Sequence, residues 1–525
     1  MGILRTVLTT ALLTLFLVGA RASAQLNDDF QNCLDPGSGP DLKLASCTNV
    51  IQSENRSTQE IAIAYYYRGV AYIQKMDLDS AIQDFDQAIV RNPDYVNAIA
   101  ARGSAYYDKH DFARAIQDLN HAISLDPSDA RNFSGRALAY LREGDDDRAM
   151  EDYDQAIQLD PDFVDAFIGR GITYVDKRDF DHAIQDFDQA IRLNPRNLNA
   201  LNDRGRAYFE KGDDDLAIQD YDQAISLQPT NALYFYNRAR AYGDKHDYDA
   251  AISDYDHAIS LSPEWAAAYL ARGSAYEEKG DFGRAIQDFN QAIPYDPTPT
   301  LEFNNLGGIY DREGDFDRAI ENYDQSIRLS QTVPAPFDGR AEAYIAKGEY
   351  ELAIQDLDTA LQLYPAYQTA LFDRGLAEFC LAQYPNAQKD FSAALQLQRS
   401  DLYDYDALWL YLTQARLSDS SAQDNLAKSV AAQDLKPWPG TVVAFYLGNA
   451  ASDAVLSTAK DPGAENANQQ VCEAYFYLGE KALLDGDRAG AARLFQQSLD
   501  TGVTSFSEFI AAALELRQLT APPKP

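Results

Sequence analysis

Five histidines and four cysteines are the residues of this 525-residue chain best suited to hold a metal or attack a substrate. His110 and His121 recur as His246 and His257 at the same separation, and His182 stands alone. They fall at turns and on helix faces, and no three of them take the spacing of zinc ligands, so they read as solvated side chains. The Asp-rich runs Gly144-Asp145-Asp146-Asp147 and Gly212-Asp213-Asp214-Asp215 lack the glycine and terminal glutamate of a calcium loop. They read as helix caps. A P-loop, a dinucleotide fingerprint and a nucleophile elbow are all missing. The expectation is a protein without catalytic residues, cofactor or metal.

The elements around these residues carry an unusual composition. Asp and Glu number 81 against 45 Lys and Arg, a net charge of −36, which would repel a phosphate backbone and makes nucleic acid a poor partner. Apolar residues at 46% are enough for a packed core. Tyr at 33 and Phe at 24 stand against three Trp, a surplus that needs a structural reason. Residues 1–24 combine a basic start (Arg5), an apolar stretch from Val7 to Val18, and Ala22-Ser23-Ala24 before Gln25. That is the pattern of a signal peptide cleaved after Ala24. The apolar run is short for a membrane span, so an exported, non-spanning protein is expected.

A period of 34 organises residues 62–399. With Ala62 as position 1, position 7 is Arg in nine of ten repeats, from Arg68 to Arg374. Position 11 is Tyr in nine, position 20 is Ala in all ten, and position 24 is Phe, Tyr or Leu throughout. Positions 4, 7, 8 and 11, then 20, 24 and 27, follow helical spacing and predict two amphipathic helices per repeat. Small residues at 8 and 20 admit close helix approach, with the aromatics filling the space beside them. Position 23 is Asp in nine repeats, and the exception, Asn322, falls in the repeat whose position 7 is Leu306. An Arg–Asp ion pair between the two helices of each repeat follows, abandoned in repeat 8. If exposed, each pair is worth only ~0.2–1 kcal/mol.

These motifs resemble the tetratricopeptide repeat (TPR) family over residues 62–399. The resemblance implies an all-α fold, a right-handed TPR α-solenoid of stacked antiparallel helix pairs. Residues 25–61 read as an N-terminal capping half-repeat, because Cys47-Thr-Asn-Val-Ile lies one period before Ala81-Ile-Gln-Asp-Phe. In an oxidising compartment, a Cys33–Cys47 disulfide would staple that end. Cys380 and Cys472 read as a second pair or as two buried thiols, the latter preferred.

Residues 400–519 are a helical region with one degenerate repeat near 472–505, followed by a tail at 520–525. Trp409–Leu412, Phe445–Asn449, Phe476–Gly479, Gly486–Phe495 and Phe506–Leu516 resemble the C-terminal part of the bacterial periplasmic TPR lipoprotein NlpI. That resemblance implies a Gram-negative periplasmic adaptor, often a homodimer, which brings peptidoglycan-processing enzymes to a protease or to synthesis machinery. The lipid-anchor cysteine of that family is absent, and the repeat array is longer than is usual there.

By the same TPR resemblance, positions 2, 5, 9, 12 and 13 of the first helices line a partner-binding groove. Repeat 1 contributes Tyr66, Val70 and Ile73. Repeats 3 and 4 contribute Leu138, Leu141, Ile168, Ile172 and Val175. Repeats 5 and 6 contribute Arg206, Phe209, Tyr236 and Arg240. An apolar strip on a concave face suits an extended or helical segment of another protein. Two readings stand: a scaffold that binds proteins, and a peptidoglycan or carbohydrate binder, which requires exposed aromatics such as Tyr107, Phe209 and Tyr236.

Overall fold

The computed structural model describes residues 27–397, 403–431, 433, 435, 438–461, 466–503 and 507–521. The signal segment and its cleavage point lie outside them. Among the described residues the secondary structure is helical, without strands. Two compact units divide at Asp247/Tyr248.

Repeat 4 shows why these sequences fold as helix pairs. Its first helix is Val164–Asp176 and its second is Phe180–Leu193. Arg178 (position 15) takes a left-handed φ of 60°, which turns the chain between them. Asp179 then caps the second helix by accepting from the His182 backbone N–H. Position 15 is left-handed in all ten repeats: five glycines, with Met76, His110, Arg178, His246 and Ala382. Two of the five histidines therefore occupy the backbone turn that Gly fills elsewhere. Position 20 is fully buried Ala in every repeat, and position 24 is buried in every repeat. A Cβ added at Gly205 would sit 2.8 Å from the Tyr221 ring, so glycine at position 8 is what lets the ring lie against the first helix.

The Arg–Asp pairs form and reach further than expected. Arg170 Nε and Nη2 donate to both carboxylate oxygens of Asp186, at 2.8 and 2.6 Å. Its third nitrogen, Nη1, donates to Asp154 of the preceding repeat at 2.5 Å. The intra-repeat fork recurs at Arg68, Arg102, Arg136, Arg204, Arg272, Arg340 and Arg374. Arg238 and Asp254, at the same two positions of repeat 6, fall in different units. The position-23 carboxylates are buried, Asp186 being 5% exposed, so the small value of an exposed surface pair does not apply to them. In repeat 8, Leu306 is buried in an apolar cluster and Asn322 donates to its own helix at Arg318 O.

A second ladder is exposed. Lys at position 14 pairs with Asp at position 18 of the preceding repeat, as in Lys177–Asp147 (3.0 Å) and Lys211–Asp181 (2.8 Å). Asp caps, buried forks and these inter-repeat bridges occupy positions 16, 18, 23 and 25, which hold 32 of the 81 acidic residues.

In the first unit, a helical hairpin precedes repeat 1. Residues 27–34 and the helix Pro40–Gln52 are joined by a Cys33–Cys47 disulfide. In the second unit the largest apolar core runs from repeats 8–10 into the C-terminal helices. Its centre is the fully buried Trp409 on Tyr403–Arg416, whose ring meets Phe372, Phe379, Phe391 and Phe476. Ala467–Leu484 and Arg488–Leu499 form the degenerate repeat, and Gly479 repeats the glycine-on-aromatic contact against Phe495. Cys380 and Cys472 are buried free thiols.

Candidate binding surface and cavity

The first helices present the expected groove positions, but packing has claimed most of their apolar side chains. Tyr66, Val70 and Ile73 are half-buried against Phe85 and Ala81. Leu141, Ile168 and Ile172 are half-buried, and Val175 is buried. Leu138 alone of this apolar set is exposed, at 41%. Phe209 lies under the Arg240 guanidinium, 4.6 Å from its ring centroid. Tyr107 accepts from Arg142 Nε at 3.1 Å and is half-buried, as are Phe209 and Tyr236. None of the three aromatics proposed for sugar stacking is an exposed platform.

What the groove positions do offer is polar atoms removed from water without a partner. Arg206 Nε (position 9), Asp311 Oδ1 (position 12) and Asp338 Oδ1 (position 5) are all of this kind. Such atoms are costly unless another group satisfies them. Desolvation pushes the Asp311 carboxyl up to about 6, against the opposing pull of Arg312.

Within the second unit the first helices of repeats 9 and 10, Ala335–Lys347 and Gln368–Cys380, face the C-terminal helices across a cavity of about 500 Å³. Phe372, Tyr405 and Trp438 supply its aromatic wall, and Gln368, Asn466, Gln469 and Gln470 its amides. Thr369, Ser507 and five carboxyl groups complete the lining, the acids being Glu342, Asp373, Asp406, Glu473 and Glu508. None of the described lining residues is Lys or Arg.

Three of the five acids are held by hydrogen bonds from the fold. Glu473 Oε2 accepts from Tyr405 OH at 2.9 Å and from Trp438 Nε1 at 2.6 Å. Glu508 Oε1 accepts from Tyr477 OH at 2.8 Å and Trp409 Nε1 at 3.3 Å. Asp406 accepts from Gln368 through Oδ2 at 2.9 Å, while its Oδ1 has no partner. Burial raises the Asp406 carboxyl to about 6. Burial also raises Glu473, with the nearby Glu508 charge adding to it. Behind this wall, Arg416 Nη2 joins Glu480 and Glu515 at 2.8–2.9 Å, which balances part of the buried charge.

Glu342 and Asp373 of the cavity wall cluster with Asp338, which lies outside the lining, and carboxylate oxygens of the three lie within 4.8 Å of one another. Asp338 is buried, and its Oδ2 accepts from Thr369 Oγ1 at 2.9 Å. Desolvation first, then the neighbouring carboxylates, raise both Glu342 and Asp373, although the Glu342 residue is solvent-exposed and Asp373 half-buried. Sequence reading missed this cluster. Glu342 and Asp338 sit at groove positions, yet single acids in a chain with 81 of them carry no signal.

Comparison with known proteins fits the repeat geometry. Residues 168–232, 236–300 and 304–367 match a family model described as tetratricopeptide repeat, and residues 62–95 match a second of the same description. Residues 103–144 and 137–177 match one described as TPR repeat. Together these cover more than half of the chain. Among solved structures, yeast Tom70 is 18% identical, with 79% of this chain and 100% of that one covered at a TM-score of 0.39. A tetratricopeptide repeat protein from Parabacteroides merdae is 20% identical, covering 46% and 95% at 0.38. YrrB, described as a TPR protein with an unusual peptide-binding site, is 22% identical, covering 36% and 96% at 0.32.

Proposed function

This chain belongs to the tetratricopeptide repeat proteins, and from that premise we propose that it is a non-catalytic scaffold. It binds other proteins through the faces of its first helices and through the cavity beside its C-terminal helices. The observation that carries this reading is the repeat match over more than half of the chain, together with Leu138, an apolar side chain left 41% exposed at a groove position. An exposed apolar side chain on the face that such repeats use for binding suits an apolar anchor of another protein. The signal-like residues 1–24 support export, and the resemblance of residues 405–519 to NlpI supports a periplasmic role near peptidoglycan-processing enzymes.

Capture of proteins from envelope extract by the immobilised full chain tests this. Leu138 is exposed, so Leu138→Asp is expected to leave the thermal midpoint within about 1 °C, as surface substitutions do. The same change should lower capture at least threefold. Capture unchanged by Leu138→Asp would remove repeats 3 and 4 from the binding face. Recovery of murein fragments with no protein would overturn the scaffold reading.

A further inference from the structure

We infer that the cavity of the second unit is a receptor for a primary ammonium group, the lysine side chain of a bound polypeptide. The ammonium sits among Asp338, Glu342 and Asp373. This rests on the reading of the protein as a binder of polypeptides and specifies what one of its sites selects.

The first argument is charge. Three carboxyl groups converge within 4.8 Å, and the described lining residues include no base. The cation that acts on Glu342 is Arg312, and its guanidinium is already bound to Glu277 at 2.8 Å. Two buried oxygens, one inside the triad and one on the cavity wall, point the same way. Asp338 is 5% exposed, with the Thr369 and Tyr367 hydroxyls acting on its carboxyl, and Asp406 is 1% exposed; the Oδ1 of each has no hydrogen-bond donor. A buried carboxylate oxygen without a donor is costly. A ligand that brings both positive charge and several N–H donors removes that cost.

The second argument is shape. An ammonium has three donors that radiate from one nitrogen, whereas a guanidinium prefers a planar fork on a single carboxylate. Acceptors set about 2.8 Å from one nitrogen at tetrahedral angles lie about 4.6 Å apart, within the span of this triad. A calcium ion asks for six to eight oxygens. Asp338, Glu342 and Asp373 project from continuous helices whose carbonyls serve the helix, so calcium would need all three carboxylates bidentate or added water, and Asp338 Oδ2 already accepts from Thr369.

The third argument is the rest of the cavity. A volume of about 500 Å³ is more than one alkyl chain fills. Phe372, Tyr405 and Trp438 can cover the methylenes of a lysine stem. The amides of Gln368, Gln469 and Gln470 can pair with peptide groups on either side.

The test titrates the full chain calorimetrically with four probes: acetyl-Gly-Lys-Gly-amide, its Nε-acetylated form, n-butylamine and calcium chloride. The lysine peptide is expected to bind, and Nε-acetylation to weaken it at least tenfold. The double variant Glu342→Gln/Asp373→Asn should weaken it tenfold or more while its thermal midpoint stays level or rises, because like charges are relieved. Equal binding of the acetylated peptide, or full affinity in the double variant, overturns the inference. Calcium binding without peptide binding makes the triad a metal site and overturns it. Butylamine binding as tightly as the peptide removes the polypeptide from the reading. Partner capture by a protein blind to lysine would sink this inference alone. Peptide binding by a protein that captures no partner would sink the scaffold reading alone.

Discussion

The buried Arg–Asp forks give a sharp test because repeat 8 already contains its own control. In repeat 4, Arg170→Leu removes two donors from Asp186, whose side chain is 7% exposed. It also frees Asp154, whose side chain is 61% exposed and simply rehydrates. Breaking a fully buried pair costs ~3–5 kcal/mol because a charge is left unmatched. Arg170 itself is 19% exposed, so water reaches part of this pair and we expect a loss of about 2–3 kcal/mol. Adding Asp186→Asn removes the stranded charge and recreates the Leu and Asn found at 306 and 322. The double variant should then lie within about 1 kcal/mol of the parent. Repeat arrays need not unfold in one step, so the assay is native-state hydrogen exchange on peptides from Phe180–Leu193. A double variant as poorly protected as Arg170→Leu would refute the reasoning, because the loss would then come from packing and not from the orphaned carboxylate.

Two further predictions concern the ends of the molecule. Asp406 is raised to about 6 and Glu378, at the position where nine repeats have Tyr, to about 7, both by burial. Raised carboxyls bind more protons folded than unfolded, so their stability is complete below about pH 4 and is lost as pH rises through 6–7. For Asp406 the shift corresponds to about 3 kcal/mol. All three tryptophans lie in the second unit. Tryptophan fluorescence should therefore show its thermal midpoint falling between pH 5 and 7.5, and a flat or rising midpoint would contradict the assignment. At the other end, Cys33→Ser/Cys47→Ser opens a bridge spanning 14 residues and should cost about 3 kcal/mol. The loss should be confined, by hydrogen exchange, to the helices next to Ala64; unchanged protection there would show that the staple is idle.

Most of the repeat architecture was legible because it depends on local rules copied ten times. The 34-residue period, Ala at position 20 and the aromatic at 24 fixed helix faces without any long-range knowledge, and the Arg–Asp pairs were readable from the joint exception at Leu306 and Asn322. The third contact of the Arg residues was not. From Arg102 onward it joins position 7 to position 25 of the repeat before, and at Arg68 it reaches Thr48 of the N-terminal hairpin, relations that exist only once neighbouring pairs are stacked. The histidines show the same limit: a sequence places His110 and His246 at a turn, and only the backbone shows a left-handed residue there.

The binding face divides the two kinds of knowledge most plainly. Sequence determined which positions of each first helix point to one side, because helical periodicity is a property of the chain itself. It did not determine which of those side chains remain available. Ile172 and Val175 are covered and Leu138 is not, since exposure depends on what the next helix brings against them. Nor did it reveal the cavity and the acid cluster at its wall, where Asp338 and Glu342 meet Asp373 from the following repeat and Glu473 and Glu508 from the C-terminal helices. Those acids are separated by up to 170 residues and come together only through packing. A carboxylate's meaning depends on its distance from other charges and from water, and both distances are set by the tertiary structure.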